Sequence, residues 1–258
     1  MSKSKIEWTE HTWNPIVGCK KVSPGCANCY AETMAKRLKA MGNSNYYSVV
    51  NEPKWTGHRG WTGHSVYVGS QPPKTPSVVF VCSMSDIFFE AASDSIIQDV
   101  YDVFKQYRQH TFLVLTKRPE RIVPVLYDSG YLKKGESLDN VWHGTSVENQ
   151  EWADRRIPDL LTLKRYGAWK IFVSVEPLLS SFDLFDLDPW LIDQVLVGCE
   201  SGPHRRECRH EWVRAIIHQG KAAGVPVFVK QIPIGGKVNK NPDEWPEDLR
   251  VRELAWSK

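Results

Sequence analysis

Three cysteines fall within eleven residues of the stretch 18–32, "GCKKVSPGCANCYAE": Cys19, Cys26 and Cys29. The other three, Cys82, Cys199 and Cys208, are scattered along the chain. An odd number makes a poor disulfide framework, and a closed structural zinc site takes four ligands. Three thiols on one short loop suit a metal centre that keeps a coordination position open. Two chemistries satisfy the spacing Cys-x6-Cys-x2-Cys. In one, a [4Fe–4S] cluster, which ordinarily takes four thiolates, is held by three and leaves one iron open to a small molecule. In the other, a structural zinc draws its fourth ligand from His11, Cys82 or Cys208. Cys82 and Cys199 lie in or beside apolar runs and read as small core residues. Cys208, in "HRRECRH", carries no assignment.

A second group of reactive side chains follows a series of short apolar runs. "VVFVC" (78–82) leads into Ser83, Ser85 and Asp86, and "TFLVL" (111–115) leads into Lys117 and Arg118. "NVWHGTSV" (140–147) is followed by Glu148, "KIFVSV" (170–175) by Glu176, and "QVLVG" (194–198) by Glu200. "VPVFVK" (225–230) ends on Lys230, with Gln231 next. Continuous β-branched runs suit strands buried on both faces, as in a parallel sheet. Polar residues at the carboxyl ends of parallel strands share one rim, where active sites form. A carboxylate there can also simply cap the next helix. Asp86, Lys117, Glu148, Glu176, Glu200 and Lys230 converging on one rim point instead to a site.

The elements that must position these residues repeat at about thirty residues, the size of a βα unit. "SDSIIQDVYDVFKQYRQ" has Ser and Asp caps and apolar residues at helical spacing. "HEWVRAIIHQGKAAG" does likewise and stops at Gly224. "ENQEWADRRIPDLLTL" is a third helix, which Pro158 is expected to kink or split. A strand near "TWNPIVG" and a helix over "YAETMAKRLKAMG" open the chain, for about seven βα-type units. An open doubly wound sheet or a complete or partial barrel could use them. The expectation is one domain over residues 1–258. It carries an irregular insertion or lid at about 43–76 and a short C-terminal extension at about 233–258.

Composition excludes little but does narrow the class. The 258 residues are 41% hydrophobic and 24% charged, as in ordinary globular proteins. No run reaches the roughly 18 apolar residues of a membrane helix, and "MSKSKIEWTEHTW" lacks a signal-peptide core. A cytoplasmic protein without membrane attachment is expected, where clustered cysteines more often mean metal than disulfide. A net charge of +3 does not by itself argue for nucleic acid. The eleven tryptophans read first as core. "KWTGHRGWTGH" (54–64) and "GPHRRECRH" (202–210) could contact phosphates and stack on bases, or be plain solvated loops.

"NPIVGCKKVSPGCANCYAE" resembles the cluster loop of radical S-adenosylmethionine (radical SAM) proteins, especially the subgroup around spore photoproduct lyase. The blocks "VCSMSDIF", "HTFLVLTKRPERI", "NVWHGTSVENQEWADRRIP", "FVSVEPLL", "CESGP" and "WVRAIIHQGKAAGVPVFVKQ" resemble a phage- and prophage-associated, uncharacterised radical-SAM-like branch. Together they span most of residues 6–232. The first cysteine gap is six residues where three is commonest, and Asn28 stands where an aromatic usually precedes the third cysteine.

The resemblance implies a partial or full (β/α) barrel of the radical SAM/TIM type. It also implies a [4Fe–4S] cluster on Cys19, Cys26 and Cys29, and S-adenosylmethionine cleaved to a 5′-deoxyadenosyl radical. Cofactor-binding positions carried over are Ser83, Ser85, Asp86, Lys117, Glu148, Glu176, Glu200 and Lys230, with Arg118 a further cation for a carboxylate or phosphate. No residue is assigned a catalytic role of its own. Tyr30, Trp13 and Trp61 are candidates to shield the radical. A nucleobase, nucleotide or DNA-linked substrate and an external electron donor such as flavodoxin or ferredoxin are the partners implied. Two other readings stay open: a zinc-stabilised nucleic-acid-binding module without catalysis, and a barrel whose carboxylates hold magnesium or zinc for hydrolysis.

Overall fold

The computed structural model describes residues 1–43, 46, 54–55, 73–90, 92–132, 137–184 and 189–256. Its strands are β1 (Ser2–Lys3), β2 (His11–Trp13), β3 (Ile16–Val17), β4 (Lys54–Trp55), β5 (Val78–Val81) and β6 (Thr111–Thr116). They continue with β7 (Val141–Ser146), β8 (Lys170–Val175), β9 (Gln194–Gly198), β10 (Val227–Ile234) and β11 (Lys237–Asn239). The helices are α1 (Tyr30–Ala40), α2 (Asp94–Gln106), α3 (Ile122–Asp128), α4 (Gln150–Leu161) and α5 (His210–Ala223). One nine-stranded sheet runs β1-β2-β5-β6-β7-β8-β9-β10-β11, and β3 pairs with β4 separately. From β2 to β10 every neighbouring pair is parallel; β1 and β11 add antiparallel edges. The fold is thus α/β with a mostly parallel sheet, and among the described residues its ladder does not close.

Neighbours in the sheet follow chain order, so each crossover steps the same way and the helices gather on one face. Strand side chains alternate between the two faces. Val79, Val81, Phe112 and Val114 pack under Ile97, Val100, Tyr101 and Phe104 of α2. Val195, Val197, Val227 and Val229 pack under Val213 and Ile216 of α5. The opposite face carries Phe80, Leu113, Trp142, Phe172, Leu196 and Phe228, one from each strand β5 to β10, joined by Trp8 and Trp256.

The local signals explain most boundaries. Ser93 caps α2, its hydroxyl accepting from Ile96 N, and Gly224 ends α5 at φ +68°, where a side chain would be strained. Three expectations need correction. "TWNPIVG" is two strands, broken at Asn14-Pro15, because Asn14 Oδ1 turns aside to accept from Ser83 Oγ and Met84 N. Pro158 neither ends nor splits α4, whose buried Ile157 and Leu160 hold the helix on both sides of it. The short helix α3 was not foreseen, and between β8 and β9 the described residues hold a single 3-10 turn, Pro189–Leu191. The C-terminal stretch packs on the domain: β10 turns into β11, Trp245 and Leu249 are buried in the α5 cluster, and Trp256 joins the face opposite the helices. Most of the expected insertion at 43–76, Trp61 included, lies outside the described residues. No helix among the described residues is long and apolar enough to cross a membrane.

Candidate functional site

The thiol loop leaves β3, bridges Gly18 to Ser85 beyond β5, makes a 3-10 turn over Pro24–Cys26, and ends with Cys29 as the N-cap of α1. It therefore lies on the carboxyl ends of the parallel strands. All six cysteines are free; Cys26 is buried, and Cys19 and Cys29 are half-buried.

Three of the four rim carboxylates turn toward this loop, and each reaches a different part of it. Asp86 accepts from Phe88 N at 3.0 Å and Thr116 Oγ1 at 2.7 Å on one oxygen. Its other oxygen accepts from Lys117 N at 2.9 Å and Arg118 Nη1 at 3.0 Å. Arg118, almost wholly buried, carries the connection onward. It donates to Lys20 O at 3.0 Å and to Glu90 at 2.9 Å, and its Nη1 lies 3.9 Å from Cys19 Sγ. Burial works against the guanidinium charge, but Asp86, Glu90 and Cys19 outweigh it and raise its pKa. Cys19 is pushed up to about 12 by burial and by Asp86, with Arg118 opposing.

Glu148 is the second anchor and is fully buried. Its Oε1 accepts from Ser23 Oγ and Lys117 Nζ, both at 2.7 Å, and its Oε2 from Arg156 Nη1 at 3.1 Å. Gly25 sits directly over this carboxylate: a Cβ there would lie 2.2 Å from Oε1 and 2.7 Å from Cδ. Arg156 also donates to Ser146 O and stacks 4.1 Å from the Trp152 ring; burial lowers its pKa. Glu200 is the third anchor. It accepts from Asn28 Nδ2 at 3.1 Å and is clasped by the backbone N and guanidinium of Arg206. Burial would raise its pKa, but Arg206 and Asn28 hold it below the usual carboxylate value.

The fourth acid stands apart. Glu176 Oε1 pairs with Lys230 Nζ at 2.6 Å, both side chains about a fifth exposed. Tyr30 lies nearby, half exposed as a residue but with its hydroxyl end buried and donating to Ser83 O. Burial, Cys29 and Glu176 together raise its pKa. Ser83 Oγ donates to Asn14 and Ser85 Oγ to Ile16 O, so both hydroxyl protons serve the loop framework. Trp13 packs in the helix-side core against Phe104 and Phe112, away from this rim.

The rim residues expected from sequence are therefore brought together, but with divided duties. Asp86, Glu148 and Glu200 spend their acceptors on the thiol loop, and Lys117 spends its charge on Glu148. Glu176 and Lys230 pair with each other, are only partly buried and retain hydrogen-bonding capacity. Sequence reasoning missed Ser23, Gly25, Asn28, Arg156 and Arg206. Only Arg156 left a signal, standing eight residues after Glu148 and so about two helical turns along α4. Cys82 and Cys199 are buried, as expected, and Cys208 is too, in the same apolar cluster as Cys199.

Three unbonded thiols on one loop supply the donor chemistry that a thiolate-bound metal or cluster needs. Among the described residues no three His, Cys, Asp or Glu side chains are arranged around a common point as a ready ligand group. The loop has the donors, and the chain that carries them is held at Lys20, Ser23 and Asn28 by Arg118, Glu148 and Glu200. No curated protein and no solved structure matches the chain. Residues 3–249 match the model of a family described as a protein of unknown function (DUF5131), and the chain belongs to that family.

Proposed function

We propose that this protein is a radical SAM enzyme, with Cys19, Cys26 and Cys29 holding a [4Fe–4S] cluster and S-adenosylmethionine binding beside it. One observation carries the reading: one loop bearing three free thiols is anchored over the carboxyl ends of the parallel strands β5, β6, β7 and β9 by Asp86 with Arg118, Glu148 and Glu200. Bound there, such a cluster would supply the single electron that cleaves S-adenosylmethionine. The chain's own residues hold the loop, exclude water around Cys26 and present polar groups to what binds. Glu176 and Lys230 offer adjacent acceptor and donor, complementary to an α-amino carboxylate. The one-directional strand order, with helices on one face and an aromatic core on the other, supports a partial (β/α) barrel.

The substrate side of the proposal is a nucleobase, nucleotide or DNA-linked molecule, with an electron donor of the flavodoxin or ferredoxin kind. Its support is the basic segment 202–210, which lies against the thiol loop where Asn28 Nδ2 meets His204 O at 2.8 Å. Arg206 and Arg209 are partly neutralised by Glu200 and Glu207.

The test is reconstitution without oxygen, with iron and sulfide, followed by absorption and electron paramagnetic resonance spectra with and without S-adenosylmethionine. A Cys19/Cys26/Cys29 triple alanine variant runs alongside. The expected result is a broad charge-transfer band lost in the variant, and a reduced-cluster signal that S-adenosylmethionine alters. Colourless protein retaining one tight zinc would overturn the reading in favour of a structural zinc module.

A further inference from the structure

Glu148 was expected to bind cofactor, and its surroundings leave it no room to do so. Both oxygens are occupied, the side chain is fully buried, and Gly25 covers its face. We infer that Glu148 is a positioning residue whose task is to seat the Cys26 end of the thiol loop, through the Ser23 hydroxyl and through contact with Gly25.

Direction and space both argue for this. A carboxylate paired with Lys117 and Arg156 accepts only, so the single Ser23 hydroxyl proton points at Glu148 Oε1. The same hydroxyl oxygen lies 3.8 Å from Cys26 Sγ, so Cys26 is the donor in that contact. Ser23 thereby links the sulfur to a carboxylate 125 residues away in sequence. Gly25 adds a steric condition, because the carboxylate occupies the place of a side chain at that position. The carboxylate in turn cannot drift, since Lys117 holds it from the end of β6 and Arg156 from within α4. Metal sites depend on such supporting contacts to orient their ligands.

The inference rests on the thiol loop being a ligand loop, as the proposed function holds, but its first test needs no metal. In the metal-free full chain, alkylation by iodoacetamide is followed at each cysteine by mass spectrometry for wild type, Ser23→Ala, Ser23→Thr and Gly25→Ala. Losing the tether is expected to speed modification of Cys26 about five- to tenfold, the scale of one hydrogen bond. Cys82, Cys199 and Cys208, buried elsewhere, keep their rates, and Ser23→Thr returns Cys26 toward wild type. Gly25→Ala speeds Cys26 with the Glu148 ion pairs untouched. A Cys26 rate unchanged in both Ser23→Ala and Gly25→Ala would overturn the inference. So would equal acceleration of all six thiols, which would make the contact one of general stability.

The second arm titrates the same proteins with cobalt(II), whose thiolate charge-transfer absorption reports the sulfurs it meets. Ser23→Ala and Gly25→Ala are expected to bind cobalt more weakly, and with a lower band, than wild type and Ser23→Thr. Cobalt spectra identical across the variants would overturn the positioning role. If wild type itself gives no thiolate band while the alkylation pattern holds, the ligand-loop reading fails and the seat on Glu148 stands as a purely conformational one.

Discussion

His143 shows how completely burial can set the state of a single side chain. It is fully buried in β7, hydrogen-bonded through Nε2 to the Tyr101 hydroxyl at 2.5 Å, with Trp169 edge-on at 5.1 Å. Burial pushes its pKa down to about 3. The unfolded chain, with an ordinary histidine near about 6.5, takes up the proton first as pH falls. The stability it contributes is complete above that value, declines as pH drops below it, and is gone near the folded value. The slope this adds is at most about 1.4 kcal/mol per pH unit. His143→Phe keeps a ring of similar size, so its melting temperature should be lower at neutral pH yet fall less steeply from pH 6.5 to 4. Parallel wild-type and variant pH profiles would show that other groups set the acid limit. The rim acids follow the same logic of local surroundings. Asp86, Glu148 and Glu200 look alike in sequence as βα-loop carboxylates, but their lone pairs are taken by Arg118, Ser23 and Asn28 respectively, directly or in series with the loop.

At the scale of elements, α5 and β10 are joined by one close contact. Gly220, inside α5, lets the helix approach β10 so nearly that a Cβ would stand 2.3 Å from Val227 Cγ2 and 3.1 Å from Val225 O. Alanine would gain about 1 kcal/mol in helix propensity over glycine. The overpacking it causes costs about 1–3 kcal/mol, and the backbone oxygen cannot swing aside as a side-chain tip could. The clash should win. Gly220→Ala is expected to lower the denaturant midpoint with an unchanged slope, and a raised midpoint would show that α5 lifts off β10 freely. The sequence marked this helix from end to end, from His210 to the stop at Gly224, because capping and periodicity are local. It held no sign that Gly220 was the point of contact. That depends on where Val227 falls after the chain has turned back.

At the scale of the molecule, the two ends of the described chain meet on the face of the sheet opposite the helices. Trp256 packs against Trp142 at 5.0 Å, Phe172 at 5.6 Å and Trp8 at 6.3 Å, and its indole N–H donates to Trp8 O. Strands β5 to β10 each send one large apolar residue to this cluster. Among the described residues that face carries no helix, and Trp8 and Trp256 cover it. Trp256→Ala should cost about 3–5 kcal/mol, the range for emptying a buried aromatic site. Trp256→Phe should recover a large part of that in the same equilibrium unfolding measurement. Equal stability of wild type and Trp256→Ala would show that the terminus is a loose cover and not part of the core.

Sequence alone marked the central strands β5 to β10, the limits of α2 and α5 and the thiol loop, since each is written in neighbouring residues. β8 and β9 lie at the residues their apolar runs mark, and Ser93 and Gly224 end their helices as those residue types dictate. It also placed Asp86, Lys117, Glu148, Glu176, Glu200 and Lys230 on one rim, because parallel strands share a direction. Tertiary structure alone decided which of these acids face the loop and which one pairs with Lys230 apart from it. Periodicity and spacing carry information over a few residues, whereas Ser23 finds Glu148 across 125 positions and Asn28 finds Glu200 across 172. Those contacts form only when the sheet has brought its strand ends together, and they divide the rim into a seat for the thiols and a half-buried Glu176–Lys230 pair.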